Sequence, residues 1–161
     1  MRPTFARCLA ASLLAMQPLA SQFAWSQANP VGWPMMGGNP QHTNSVNAST
    51  PSAATASQLG LNWMANLHAA DVGSPVAAFN AALGAMVVYA GDENGDVFAF
   101  NETTGQQIWG INLGLGNAIR ATPAVAPDGS VWVATSYGNT VFKLNGATGQ
   151  TLCSHTSPPN H

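Results

Sequence analysis

Short runs of alternating apolar and polar residues succeed one another along most of the chain, and they do so twice in the same order. Residues 76–79 (VAAF) predict a first short strand behind Ser74-Pro75, since proline pushes the residue before it toward extended geometry. Residues 85–90 (AMVVYA) predict a strongly apolar second strand, and Asn94-Gly95 is the dipeptide best suited to a tight hairpin. In residues 96–101 (DVFAFN), Val97, Ala99 and Asn101 alternate with Phe98 and Phe100, which predicts a third strand. Thr104-Gly105 is the next turn, and residues 107–113 are the fourth strand. Thr122-Pro123 opens a second unit with predicted strands at 124–126, 131–135, 140–145 and 151–153, and hairpin turns at Asp128-Gly129 and Gly138-Asn139. The first unit is longer by a few residues around 79–84, where a surface loop tolerates insertion. Upstream, residues 61–67 (LNWMANL) alternate through Leu61, Trp63, Ala65 and Leu67 and predict a lone half-buried strand. Beyond the N-terminal leader no stretch of ten residues has a helical period, so the fold class is all-β.

Within these units one phrase occurs twice, 44 positions apart: AFNETTGQQIW at residues 99–109 and KLNGATGQTLC at residues 143–153. Asn101 matches Asn145, Thr104 matches Thr148, Gly105 matches Gly149, and Gln106 matches Gln150. Val97-Phe98 and Val141-Phe142 match at the same offset. A period in the forties built from β-units is the signature of a propeller blade. Trp63 lies 46 positions before Trp109, so residues 61–67 are expected to be the fourth strand of a preceding blade. Packing alone accounts for the phrase. An asparagine at a strand end accepts bonds from the turn backbone, Gly105 and Gly149 tolerate positive φ, and Ala99 leaves room for a ring. A docked tryptophan buries roughly 150–250 Å², worth a few kcal/mol at about 25 cal/mol per Å².

The N-terminus reads as a secretory signal. Arg2 and Arg7 precede an apolar stretch from Cys8 to about Ala20, and Ser26-Gln27-Ala28 supplies the small residues of a cleavage site. The stretch is broken by Gln17 and Pro18 and falls short of the ~20 apolar residues that span a bilayer. The expected organisation is a signal peptide at 1–28, an irregular segment at 29–60, blades over 61–157 (a lone strand at 61–67, units at 74–113 and 122–154) and a tail at 158–161. In the irregular segment Trp33, Met35 and Met36 are expected to dock on the body. Localisation is then secreted or periplasmic.

After cleavage two basic side chains, Arg120 and Lys143, face six acids, a net charge of −4. No basic patch exists for nucleic acid. Cys153 would be the one cysteine left and is expected to be a buried apolar filler, or to pair beyond residue 161. Asp92, Glu93 and Asp96 crowd a five-residue stretch, but glycine and acid do not fall at calcium-loop positions, and a hairpin turn explains them. His42, His68, His155 and His161 share no ligand spacing. No nucleophile elbow appears, and the glycines at 110–116 lack the following helix that a dinucleotide loop needs. No catalytic or metal residue is assigned, and cofactor-binding residues are left open.

The pattern A-x-D-x-x-T-G-x-x-x-W resembles the tryptophan-docking motif of pyrroloquinoline-quinone (PQQ) type β-propellers. Ala99, Thr104, Gly105 and Trp109 match it, with Asn101 at the aspartate position. The second copy keeps Thr148 and Gly149, with Lys143, Asn145 and Cys153 at the other positions. The segment WPMMGGNPQHT resembles the N-terminal part of the same proteins, so the resemblance covers about residues 32–153. It implies four-stranded antiparallel blades, here an incomplete propeller of about two blades plus one strand. Propellers have roughly four to eight blades, so the chain is expected to be a fragment, or to complete a ring through a protein partner or by self-association. The resemblance also implies two functional classes. One is the quinoprotein alcohol and sugar dehydrogenases, which hold PQQ and calcium and use an adjacent cysteine pair and an aspartate base. The other is the non-catalytic scaffolds. This chain has no adjacent cysteines, so the scaffold or binding module is the expectation. PQQ and calcium would belong to a longer parent.

Overall fold

The computed structural model describes residues 32–45, 54–71, 73–114 and 116–158. The signal-peptide expectation lies outside them. Two four-stranded antiparallel sheets make up the body. The first runs β1 (Val76–Asn80), β2 (Ala85–Gly91), β3 (Asp96–Asn101) and β4 (Gln107–Asn112), paired in that order. The second runs β5 (Ala124–Val125), β6 (Ser130–Ala134), β7 (Thr140–Asn145) and β8 (Thr151–Thr156), also in order. A short 3₁₀ turn at Ala56–Gln58 is the one helical element among the described residues. β8 runs further than the three residues predicted, and β5 is shorter by one.

The pairing register makes the two sheets copies of each other. Tyr89, Ala99 and Trp109 stand side by side across β2, β3 and β4, as Trp132, Lys143 and Cys153 do across β6, β7 and β8. A register shift follows at the same place in each, between Ala99 and Phe100 and between Lys143 and Leu144. Side chains of a strand alternate between faces, and that assigns the core. Val76, Val87, Tyr89, Val97, Ala99 and Trp109 of the first sheet pack against Val125, Val131, Val133 and Leu144 of the second, with Ile119 from the connection. The opposite face of the first sheet carries Phe98 and Phe100, both buried.

Residues 61–71 cover that second face. The expected strand at 61–67 has no ladder: its residues pair with no strand among those described. The alternation is nonetheless visible, because Trp63, Ala65 and Leu67 are half-buried whereas Leu61 is 80% and Met64 77% exposed. Side-chain pattern sets which face turns inward, but a ladder needs a neighbouring strand, and none among the described residues is beside it.

The segment 32–45 docks at the other end of the strand order. Trp33 bridges Ala77 of β1, donating to Ala77 O at 2.6 Å and accepting from Ala77 N at 2.9 Å, and Pro34 O accepts from Val125 N of β5. One short segment thus caps the first strands of both sheets. Trp33 and Met35 are half-buried, but Met36 is 59% exposed and does not dock as expected.

The β2–β3 turn differs from the tight Asn-Gly hairpin predicted. Asn94 keeps negative φ, Gly95 alone is at +82°, and Gly95 N–H bonds to Asp92 O. The buried Asp92 carboxylate sets this geometry by accepting from the N–H groups of Asn94 and Asp96, both at 3.0 Å.

Candidate functional site

The repeated phrase builds the same turn twice, bond for bond. Asn101 Oδ1 accepts from the N–H groups of Thr103 and Thr104, both at 3.0 Å. Asn145 Oδ1 accepts from Ala147 and Thr148 at 2.9 and 3.2 Å. Gly105 and Gly149 donate to Asn101 O and Asn145 O, each at 2.8 Å. Thr104 and Thr148 hydroxyls accept from Gln106 N and Gln150 N, each at 3.3 Å. The two glycines sit at φ +70° and +75°, where a Cβ is penalised.

Each of these turns receives an indole from the preceding segment. Trp63 donates through Nε1 to Glu102 O at 2.7 Å, and Trp109 donates to Gly146 O at 2.9 Å. Both acceptors are the residue after the motif asparagine. A Cβ at Gly105 would lie 2.6 Å from Trp63 Cγ, and one at Gly149 would lie 2.8 Å from Trp109 Cε3. The structure therefore brings Asn145, Thr148, Gly149 and Trp109 into one node, and Asn101, Thr104 and Gly105 into another with Trp63. Ala99 lies opposite Trp109 across the β3–β4 ladder, fully buried.

Three residues join the Trp109 node that the pattern did not single out. Tyr89, fully buried, donates its hydroxyl to Gly146 O at 3.0 Å and accepts from Asn80 Nδ2 at 3.2 Å. Its ring centroid lies 5.9 Å from that of Trp109. Burial raises the Tyr89 phenol above its ordinary pKa, against the lowering effect of the Asn80 bond. The available signal was a tyrosine inside an apolar strand, since a buried hydroxyl needs a partner.

The acids form a second structured region at the β2–β3 turn. Asp92 Oδ2 accepts from Ala69 N at 3.0 Å, Asp96 meets His68 Nδ1 at 2.9 Å, and Asn112 Nδ2 donates to Asp96 at 2.7 Å. His68 also stacks edge-on against Phe98 with centroids 5.2 Å apart. Asp71 titrates above the usual carboxylate range, through burial first and then the charge of Asp92. These carboxylates are spent on backbone amides and neighbouring side chains. Calcium requires several converging oxygens, and no group of three or more His, Cys, Asp or Glu is placed for a metal among the described residues.

Charges and rings also meet on the outer side of the second sheet. Lys143 Nζ lies 3.0 Å from Asp128 and 5.5 Å from the Trp132 ring centroid. Ser130 donates its hydroxyl and its N–H to Asp128, holding that carboxyl down at about 2, with help from Lys143. Arg120 pairs with Glu93 at 2.7 Å and lies over Tyr137, linking the connection to turns of both sheets. Cys153 is half-buried in β8, opposite Lys143 across the ladder, and is not the buried free thiol expected.

The two-sheet arrangement superposes on quinohemoprotein alcohol dehydrogenase from Comamonas testosteroni with a TM-score of 0.67 and 21% identity, over 80% of this chain and 20% of that one. These are propeller blades. The chain is also similar to BamB from Moraxella catarrhalis (TM-score 0.49, 23% identity, 60% of this chain and 27% of that one). A europium-containing methanol dehydrogenase is similar at a TM-score of 0.46 and 16% identity, over 79% of this chain and 32% of that one. All three are PQQ-repeat-like β-propeller proteins. The chain spans about a fifth to a third of their lengths. No protein-family model and no curated protein matches the sequence. The blades pack in series, with residues 61–71 on the first blade and the first blade on the second. No helix among the described residues is long and apolar enough to cross a membrane.

Proposed function

We propose that this chain is a non-catalytic scaffold or binding module made of propeller blades and working outside the cytoplasm. One observation carries the reading: the polar groups of the repeated phrase are consumed in holding its own turns and in receiving the indole of the preceding segment. Asn101, Asn145, Thr104 and Thr148 bond to their own turns, and Trp63, Trp109 and Tyr89 bond to the carbonyl after each motif asparagine. Nothing in that set is left to activate a substrate. The N-terminal charge and apolar pattern supports export, and N-terminal sequencing of the secreted protein tests it, with a start after Ala28 expected. A dye-linked dehydrogenase assay after incubation with PQQ and calcium tests the absence of catalysis. Turnover of alcohols or sugars would overturn it.

The second reading is a piece of a PQQ-dependent alcohol or sugar dehydrogenase. The superposition on quinohemoprotein alcohol dehydrogenase favours it. Under that reading PQQ and calcium would be held by residues of a longer parent, and an adjacent cysteine pair would lie in its other blades.

A further inference from the structure

The chain contains the dipeptide Asn-Gly twice, at Asn94-Gly95 and Asn145-Gly146. Asparagine before glycine is the pair most open to self-modification, because no side chain on the glycine hinders its backbone nitrogen from reaching the asparagine Cγ. The fold treats the two sites differently. Asn145 is half-buried, and its Oδ1 is held by the N–H groups of Ala147 and Thr148. Gly146 carries Trp109 Nε1 and the Tyr89 hydroxyl on its carbonyl, and it packs so closely on Gly129 O that no Cβ fits. Asn94, by contrast, is exposed in the β2–β3 turn, and its side-chain amide makes no hydrogen bond among the described residues. The Gly95 N–H has one bond to give up, 3.1 Å to Asp92 O. Asn94 O, the carbonyl of the same peptide unit, accepts from Asn112 Nδ2 at 3.2 Å, which draws charge off the unit and makes the Gly95 N–H more acidic.

We propose that Asn94 is a site of spontaneous deamidation and isomerisation, and that its product releases residues 68–70 from the first blade. The Gly95 nitrogen attacks Asn94 Cγ and forms a C–N bond. The Cγ–Nδ2 bond breaks, and Nδ2 leaves as ammonia with the proton from Gly95 N. The succinimide so formed adds one water. Opening at Cγ leaves aspartate at 94. Opening at the main-chain carbonyl carbon leaves isoaspartate, whose backbone runs through the side chain and is one carbon longer. One water is consumed, one ammonia is released, and nothing is oxidised or reduced. The turn that is altered is the one that holds the preceding segment. Asp92 Oδ1 accepts from Asn94 N and Asp96 N, both at 3.0 Å, while its Oδ2 accepts from Ala69 N at 3.0 Å. Glu93 N donates to Ala70 O at 3.0 Å, and Asp96 meets His68 at 2.9 Å. A longer main chain between 94 and 95 cannot keep both Oδ1 bonds, so the Asp92 carboxylate shifts and Ala69 N loses its acceptor. The new carboxylate also joins Asp92, Glu93 and Asp96 in one short turn, where like charges repel.

Peptide mapping by mass spectrometry tests the site, on the full chain incubated folded and, in parallel, unfolded in guanidinium chloride. Unfolded, Asn94 and Asn145 should deamidate at similar rates. Folded, Asn94 should stay within about tenfold of its unfolded rate, since one bond is given up, and Asn145 should slow by more than about a hundredfold, since several hold it. Methylation by isoaspartyl methyltransferase reads the isomerised product at 94. Hydrogen exchange over 68–70 should then quicken about fivefold or more in the aged chain, as the loss of one bond requires. Exchange in aged Asn94→Gln should stay unchanged, because the longer side chain cannot close the same ring. A folded Asn94 that reacts as slowly as Asn145 overturns the site, and so does earlier reaction at Asn145. Modified Asn94 with unchanged exchange over 68–70 overturns the release, as does equal quickening in aged Asn94→Gln.

Discussion

Trp109 occupies the space that a side chain at Gly149 would need, because a Cβ there lies 2.8 Å from Cε3 of the indole. The same glycine is held at φ +75° by its bond to Asn145 O. Gly149→Ala should thus cost about 2–4 kcal/mol, combining left-handed strain with overpacking. Chemical denaturation measures this. A double-mutant cycle with Trp109→Ala should show coupling above about 0.5 kcal/mol, and strict additivity would mean that the two residues do not meet.

Gly105→Ala has the same local problem but a different neighbour. Trp63 rides on a segment that has no ladder among the described residues, so it can lift away more easily than Trp109. The stability loss should be limited to about 1–2 kcal/mol of left-handed strain. Residues 61–71 should become the first site of limited proteolysis. A loss equal to that of Gly149→Ala, with unchanged proteolysis, would contradict this.

Gly146 O accepts from both Trp109 Nε1 and the Tyr89 hydroxyl. Removing one donor leaves the other, so Tyr89→Phe and Trp109→Phe should each lose about 1 kcal/mol through the missing bond. Together they strand a buried carbonyl, and the combined loss should exceed the sum. Urea titration of the four proteins decides the point.

Tyr89 also sets an alkaline limit. Its folded pKa lies above the ordinary value of 10.0, so folding favours the protonated phenol. That contribution is complete below pH 10, the unfolded value, and is lost as pH rises through the folded pKa. The wild-type chain should lose stability above pH 10, and Tyr89→Phe should flatten that part of the profile.

Asp128 behaves oppositely. Its pKa falls from 3.8 to about 2, chiefly through the Ser130 hydroxyl, so its contribution is present above pH 3.8 and lost as pH falls through about 2. The carboxylate is well exposed, and solvent screening limits the effect to less than about 1 kcal/mol. Asp128→Asn should remove the slope in that window, and Ser130→Ala should shrink it by more than half. Acid titration of thermal midpoints checks both.

The strands and repeated turns were legible because their causes are local. Alternation over four to six residues places β2, β3 and β7, and Asn-x-x-Thr-Gly writes its turn within six residues. The β2–β3 turn was read as a glycine effect because its controlling group, the Asp92 carboxylate, is three residues before Gly95 and looks like any surface acid. The Gly146 node was not legible, since it joins Tyr89, Trp109 and a carbonyl 57 and 37 residues away. Trp33 on Ala77 belongs to the same class. For residues 61–67 the pattern gave the inward face and could not reveal that no described strand supplies the ladder.

The acceptor that receives Trp109 and Tyr89 is a main-chain oxygen, and every residue has one. Adjacent units therefore recognise each other without a matching side chain on the receiving side. A unit copied or exchanged by recombination would arrive already able to receive its neighbour's indole, provided that its turn keeps the left-handed glycine. Such a join lets the number and order of units drift through duplication while the outward-facing residues diverge, which is how one architecture comes to serve unrelated partners.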